Sequence, residues 1–331
     1  MKILDTIARY LVGGLFIFSG LIKINDPVGT QIKLEEYFTV FAGDGLTFFN
    51  SLKPAALVFS VVLSTAEIVL GLALLLRFKK SLTIKLLLAQ IVFFTFLTFY
   101  SAYFNKVTDC GCFGDAIKLT PWQSFGKDVV LLVLIIILFL NRKTGEATSA
   151  LKVRKVVLGA SLAFCLTICY LAITHLPFID FRAYKVGTHI PTDMLPPADN
   201  PEEVPKITSF VFWSDQNPDE TQNVLTGRKL LIVVHEAPKT NLDSYPLIVN
   251  QLSLLENDME IIAVTASSRE QFEALRHDVQ LATPYFYSDK TLLKTMIRSN
   301  PGLILLENGT VVKKWHYNDI PDASGILSSF E

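Results

Sequence analysis

Two cysteines separated by a single residue are the side chains of this sequence best suited to chemistry. Cys110 and Cys112 lie in the run DCGCFGD at 109–115. The glycine between them can adopt the backbone angles that a very small disulfide ring requires. Such a disulfide should be strained, and strained, exposed disulfides are the labile and catalytic ones. The spacing therefore predicts a redox pair in which the exposed thiolate attacks.

Two other roles for this pair stay open. The cysteines could form a disulfide that only stabilises a turn. They could also bind zinc with Asp109 or Asp115, although no histidine or further cysteine lies nearby in the sequence. Redox exchange is the favoured interpretation.

Glu67 is the second candidate, because it lies in the middle of an apolar stretch. An ionisable group inside a membrane is costly and indicates a functional site by default. At about 1.5 Å per helical residue, Gln90 lies at a similar depth, and Arg9 and Lys127 lie within about two turns. Glu67 could serve a proton relay or a small-molecule site in the helix bundle. The alternative is a protonated or paired Glu67 that fixes helix packing.

The remaining candidates favour structural roles. Cys165 and Cys169 lie four residues apart on one face of a helix, where a disulfide is geometrically awkward, so ordinary packing is expected. His235 and Glu236 end a predicted strand and are interpreted as its solvated terminus. The five histidines are scattered, and we predict no metal ligand among them.

The elements that position these residues are mostly membrane spans. Apolar residues make up 50% of the 331 residues, charged residues only 18%, and the mean hydropathy is +0.40. This composition excludes a disordered chain and favours a membrane protein. Segments long enough to cross hydrocarbon run approximately over 3–24, 55–77, 82–104, 119–140 and 155–176. The stretch 23–53 is too polar to span and is predicted to lie across the outer bundle surface.

Charge is divided unevenly along the chain. Residues 1–176 carry 17 basic and 10 acidic side chains, a net +7, whereas 177–331 carry 13 and 21, a net −8. The loops after the second and fourth spans are rich in lysine and arginine, which predicts a cytoplasmic N-terminus. Five spans then place the C-terminal half in the periplasm of a bacterial cell, as part of an inner-membrane protein. No basic stripe indicates nucleic-acid binding.

The C-terminal half has the pattern of an α/β domain. Residues 177–205 are rich in proline and acidic side chains and are predicted to be a linker. The periodicity then predicts the order β-α-β-α-β-α-β-β. Strands are expected at 206–213, 229–236, 259–266 and 283–288, and a hairpin at 301–317 turns at Asn308-Gly309. Helices are expected at 244–257, 268–279 and 289–297.

This order resembles the thioredoxin fold over about 206–320, especially its membrane-tethered periplasmic form. The resemblance implies a CxxC after the first long buried strand, but HEAPK at 235–239 has no cysteine. It also implies a cis-proline before the final hairpin, a position that Pro301 occupies. Because the thiolate is the nucleophile, this domain should be redox-inert and serve binding or scaffolding.

The membrane half resembles the MauE branch of the DoxX-like superfamily. The resemblance covers residues 1–142 and rests on CGCFG, on Gly20-Leu21-Ile22-Lys23 followed by Asp26-Pro27, and on Glu67 in AEIVLG. The whole combination is similar to DoxX-family membrane proteins of Bacteroidetes. It implies disulfide chemistry in the periplasm, as in the maturation of methylamine dehydrogenase.

Four regions are therefore expected: a four-helix DoxX/MauE-like membrane domain (1–142), a cytoplasmic loop with a fifth span (143–176), a periplasmic linker (177–205) and a thioredoxin-like domain without CxxC (206–331). The favoured function is thiol–disulfide exchange or redox-linked protein maturation through Cys110 and Cys112, with a quinone or a second redox protein as electron acceptor. The alternative is a non-catalytic subunit whose C-terminal domain binds an envelope protein in a membrane complex. A third hypothesis is that the chain is a transporter, or binds a lipid or a quinone, at a site centred on Glu67.

Overall fold

A computed structural model of the chain describes residues 2–107, 111, 113–141, 151–197, 200, 202 and 204–330. The chain divides into two compact units, Met1–Ile173 and Thr174–Glu331. Cys110 and Cys112 lie outside the described residues, whereas Gly111 between them lies within.

The first unit is helical in its described part. Its helices are α1 (Lys2–Asn25), α2 (Pro27–Gly43), α3 (Ala56–Leu75), α4 (Lys80–Phe104), α5 (Pro121–Leu140) and α6 (Leu151–Thr174), with a 3₁₀ segment at Thr47–Ala55. Five described helical segments are long and apolar enough to cross a membrane: Ile3–Asn25, Thr47–Leu75, Lys80–Phe104, Pro121–Leu140 and Leu151–Thr174. The predicted spans are confirmed, and the chain is a multi-pass membrane protein.

Local sequence fixes where two of these helices begin. Asp26 caps α2 by accepting a hydrogen bond from Gly29 N at 2.8 Å, and Pro27 occupies the first turn. The Thr120 and Gln123 side chains cap α5 reciprocally. The α2 helix buries Leu34 and Tyr37, so this part of 23–53 packs into the bundle.

The second unit is built around a mixed six-stranded sheet. Its strands are β1 (Phe212–Trp213), β2 (Arg228–Val234), β3 (Glu260–Thr265), β4 (Tyr285–Ser288), β5 (Gly302–Glu307) and β6 (Thr310–His316), in the order β1-β4-β3-β2-β5-β6. Strands β2, β3 and β4 are parallel, and β1, β5 and β6 join the sheet by antiparallel pairing. Its helices are α7 (Ile190–Asp193), α8 (Thr221–Leu225), α9 (Tyr245–Leu255), α10 (Arg269–Val279), α11 (Lys290–Met296) and α12 (Ala323–Leu327).

The core of this unit lies on both faces of the sheet. Along β2, Leu231 and Val233 pack into one apolar cluster, and Leu230, Ile232 and Val234 pack into the other. This explains the continuous apolar run of β2, because a central strand is covered on both faces. A membrane helical region followed by a soluble α/β domain is therefore the observed fold class.

The β5–β6 hairpin turns where it was predicted. Asn308 and Gly309 both have positive φ, at 47° and 76°, as the favoured two-residue hairpin turn requires. The Asn300–Pro301 peptide bond directly before β5 is cis, as the resemblance to the thioredoxin fold implies.

The structure differs from the sequence-based expectation at the start of this unit. Only Phe212–Trp213 of the predicted strand 206–213 forms a strand. Part of the predicted linker belongs to the compact unit, because Tyr184 and Ile190 are buried in its core. Gly187 N donates to Val311 O at 2.8 Å, and Val311 N donates to Thr188 O at 2.9 Å. These bonds cover the edge of β6, which would otherwise expose unpaired backbone groups.

Candidate functional site

Glu67 forms a buried ion pair with Lys23. The Lys23 Nζ atom lies 2.5 Å from Glu67 Oε1, and 7% of the lysine side chain and 2% of the glutamate side chain are exposed. Nζ also lies 4.5 Å from the centre of the Phe94 ring, within range of a cation–π interaction. The structural alternative for Glu67 was a protonated or paired side chain. The structure shows a paired one, with Oε1 as the atom that contacts Lys23.

A close contact between α1 and α3 makes this pair possible. A Cβ atom on Gly20 would lie 2.5 Å from Ile68 Cγ1 and 3.0 Å from Ser64 O. Only a residue without a side chain fits here, and small residues let membrane helices approach closely. Gly20 therefore helps to bring Lys23 within reach of Glu67.

A second ion pair lies on α5. The Lys127 Nζ atom is 2.5 Å from Asp128 Oδ1, and the Asp128 side chain is only 2% exposed. The Thr98 hydroxyl on α4 donates to Asp128 Oδ2 at 3.0 Å. Sequence reasoning named Lys127 but missed Asp128, although two adjacent charges in an apolar span were a visible signal.

Both ion pairs line one cavity in the first unit. The cavity has a volume of about 60 Å³, and α2 contributes Lys33 and Tyr37 to its wall. This is room for roughly four water molecules. Its lining combines two balanced ion pairs with aromatic and aliphatic side chains.

Among the described residues, buried polar atoms at this cavity include some that have no hydrogen-bond partner. Glu67 Oε2 and Ser64 Oγ are such atoms, on side chains that are almost completely buried. A buried polar atom without a hydrogen bond is costly. The cavity is therefore suited to a group that can donate a hydrogen bond to Glu67.

Gly111 lies on this cavity and is the residue between Cys110 and Cys112 in the sequence. It has φ +63°, and a Cβ atom there would lie 3.1 Å from Lys33 Cγ. Its carbonyl accepts a hydrogen bond from Gly114 N at 3.1 Å, which closes a turn. Phe113 anchors this turn, since its ring packs 5.6 Å from the Phe18 ring and 5.1 Å from Lys127 Nζ.

Gln90 and Arg9, which the sequence places at a depth similar to that of Glu67, form hydrogen bonds with other groups. The Gln90 amide donates to Leu63 O at 3.0 Å, and the Arg9 guanidinium donates to Leu75 O at 3.2 Å. Cys165 and Cys169 are free and buried in an apolar cluster with Ile68, which confirms their packing role.

In the second unit, hydrogen bonds hold the segment that follows β2, and this segment has no cysteine. Asn300 accepts a hydrogen bond from His235 N and donates one to Glu236 O, both at 2.9 Å. Ala237 N donates to Ser267 Oγ at 2.8 Å. These bonds fix the turn that the thioredoxin resemblance equates with the CxxC position.

His235 is buried, contrary to the expectation of a solvated strand end. Burial lowers its pKa to about 3, and the nearby positive charges of Lys294 and Arg298 lower it further. Burial alone would raise the pKa of Glu236, but hydrogen bonds from Lys290 and Lys239 outweigh it and lower that pKa. Glu236 is therefore a carboxylate held by lysines.

One curated relative and one protein family are similar to parts of this chain. The protein TlpB of Flavobacterium psychrophilum is 30% identical over 170 residues, which are 50% of this chain and 43% of that relative. The match thus spans less than half the length of this curated relative. No solved structure matches the chain significantly. Residues 1–141, less than half of the chain, are similar to the family described as methylamine utilisation protein MauE.

Proposed function

We propose that this chain acts in periplasmic thiol–disulfide exchange or redox-linked protein maturation, through Cys110 and Cys112. The observation that carries the proposal is the position of Gly111, the residue between the two cysteines, on the lining of the cavity that contains Lys23 and Glu67. The similarity of residues 1–141 to the MauE family supports the same role. The proposed location is the bacterial inner membrane, with the N-terminus in the cytoplasm and the second unit in the periplasm.

The chemistry requires an outlet for electrons and for protons. When two thiols become a disulfide, two electrons and two protons are released. A quinone in the bilayer or a second redox protein would take the electrons. Glu67 Oε2, which has no hydrogen-bond partner among the described residues, is the group proposed to take a proton through water in the cavity. Lys23 would stabilise the carboxylate that results when the proton leaves.

Thiol trapping in intact cells tests this function. Alkylating reagents report the redox state of Cys110 and Cys112 in the wild type, in Cys110→Ser and in Glu67→Gln. We expect a mixture of oxidised and reduced chains, a mixed disulfide at Cys112 in Cys110→Ser, and slower reoxidation in Glu67→Gln.

The matched control replaces the other two cysteines. Cys165→Ser with Cys169→Ser should leave the trapped pattern unchanged, because these side chains are buried in an apolar cluster. A Cys110–Cys112 pair that stays fully oxidised under every growth condition, with no mixed disulfide in Cys110→Ser, would contradict redox exchange.

One observation favours the alternative of a non-catalytic membrane subunit. The turn at 235–237 is held by Asn300 and Ser267 and offers no nucleophilic thiol. In this alternative the second unit binds an envelope protein, and the bundle anchors it. The double variant C110S/C112S would then keep the cellular function, whereas deletion of 206–331 would abolish it.

A further inference from the structure

The first residues of the second unit carry a compact apolar surface. Phe178, Ile179 and Phe181 are 60%, 58% and 41% exposed, three large apolar side chains within four residues. They lie close together in a chain half with 13 basic and 21 acidic residues. We refer to these three side chains as the juxtamembrane patch.

The chain itself limits how far this patch can lie from the bilayer. The last membrane span, α6, ends at Thr174, four residues before Phe178. An extended chain covers at most about 3.6 Å per residue, so Phe178 lies within about 14 Å of the end of α6. This limit holds for any arrangement of the two units.

The end of α6 lies close to the edge of the hydrocarbon. Basic side chains at Lys152, Arg154 and Lys155 mark its first turns, and an apolar stretch continues to Thr174. The 19 residues of 156–174 rise about 28 Å as a helix, nearly the thickness of the hydrocarbon core. The interfacial region adds about 5–8 Å on each side, so Phe178 is confined to the interface or its immediate neighbourhood.

An ion cluster lies within the segment that carries the patch. Asp180 lies between Ile179 and Phe181 and accepts hydrogen bonds from Arg182 Nε at 2.7 Å and from Lys314 Nζ at 2.9 Å. Lys314 lies on β6 and also donates to Met296 O at 2.7 Å. Asp180 is thus bonded to the sheet, while its neighbours Ile179 and Phe181 are exposed.

Neighbouring residues anchor the same segment. Leu176 packs against the apolar core of the unit, and Tyr184 is buried in it and donates its hydroxyl to Ser209 O at 2.7 Å. One face of the segment therefore packs against the second unit. Its other face is apolar and aromatic, the composition that membrane–water interfaces favour.

We propose that the juxtamembrane patch inserts into the interface of the lipid bilayer beside the last span and fixes the second unit to the membrane surface. The proposed occupant of this surface is lipid, because Phe178 follows the end of a membrane span by only four residues. The proposal is independent of the redox function and of the side of the membrane on which the unit lies.

Site-specific photo-crosslinking in the full chain tests the proposal. The photoreactive residue p-benzoylphenylalanine replaces Phe178, and the protein is reconstituted in vesicles of phosphatidylcholine and phosphatidylglycerol. The same residue at Tyr170, 65% exposed on α6, is the positive control. At Leu254, 62% exposed in the second unit and distant in sequence from the span, it is the negative control.

We expect a phospholipid adduct, seen as a mass increase of one lipid, at positions 170 and 178 but not at 254. Replacement of Phe181 repeats the measurement, so that one misfolded variant does not decide the outcome. An adduct at 170 with none at 178 or 181 would overturn the proposal. A crosslink from 178 to a second protein chain would also overturn it, because the patch would then be covered by protein.

Discussion

Lys23 at the end of α1 and Glu67 in the middle of α3 form a buried ion pair, with 2.5 Å between Nζ and Oε1. The contact joins two membrane helices through a charged interaction. It also leaves Glu67 Oε2 without a hydrogen-bond partner among the described residues. One carboxylate oxygen of Glu67 therefore pairs with Lys23, and the other can accept a hydrogen bond from a bound group.

A double-mutant cycle on this pair should show strong coupling. Lys23→Met leaves a buried carboxylate without its cation, and Glu67→Gln leaves a buried ammonium group. Breaking a buried pair costs about 3–5 kcal/mol, whereas replacing both partners can be nearly neutral. We expect each single variant to lower the thermal stability of the detergent-solubilised chain and the double variant to recover most of the loss. Strictly additive effects would contradict this coupling.

The close contact at Gly20 gives a second prediction. Gly20→Leu should separate α1 from α3, because even a Cβ atom would lie 2.5 Å from Ile68 Cγ1. Overpacking of this kind costs typically about 1–3 kcal/mol. Gly14→Leu is the matched control on the same helix, since a Cβ atom there would meet no atom within 4 Å. Thermal unfolding of both variants should show a loss for Gly20→Leu only, and equal losses would argue against a specific contact.

The sequence predicted those features that depend on long or local patterns. The apolar runs marked the five spans, and Asn308-Gly309 marked the hairpin, because both signals lie in contiguous residues. The burial of Tyr184 and Ile190 was missed, since their segment is rich in proline and acidic residues and resembles a linker. Composition does not reveal that such a segment pairs with the edge of a sheet.

The candidate site was predicted only in part for the same reason. Glu67 was visible as a charge in an apolar span, and Lys23 was visible in the motif before Asp26-Pro27. Their pairing depends on the register between α1 and α3, which is set by a contact such as that of Gly20 with Ile68. The link from Asp128 to Thr98 likewise depends on how α4 and α5 pack.

Asp180 should be essential for the start of the second unit. Asp180→Asn leaves the buried Arg182 and Lys314 side chains without their shared anion. We expect faster hydrogen exchange at 180–190, because an uncompensated buried charge destabilises the local fold. Asp193→Asn is the control, since its partner Lys206 is 71% exposed and such pairs contribute little. Unchanged exchange in Asp180→Asn would show that packing alone holds the segment.

His235 should make the stability of the second unit depend on pH. Burial, together with Lys294 and Arg298, lowers its pKa to about 3, so the folded state keeps it neutral. Between that value and about 6.5, the usual histidine pKa, the unfolded state binds a proton that the folded state does not. The free energy of unfolding therefore falls as the pH falls below about 6.5, by at most about 1.4 kcal/mol per pH unit for one histidine.

His235→Phe should remove part of this pH dependence. His316 contributes in the same direction, because burial lowers its pKa to about 4, although Asp319 opposes the shift. The measurement is hydrogen exchange at β2 and β5 in the full chain between about pH 5 and 7, corrected for the intrinsic exchange rate; this window lies above the usual carboxylate pKa values. His277→Phe, at a side chain that is 93% exposed, should keep the wild-type dependence. Equal slopes for His235→Phe and the wild type would show that His235 does not stay neutral in the folded unit.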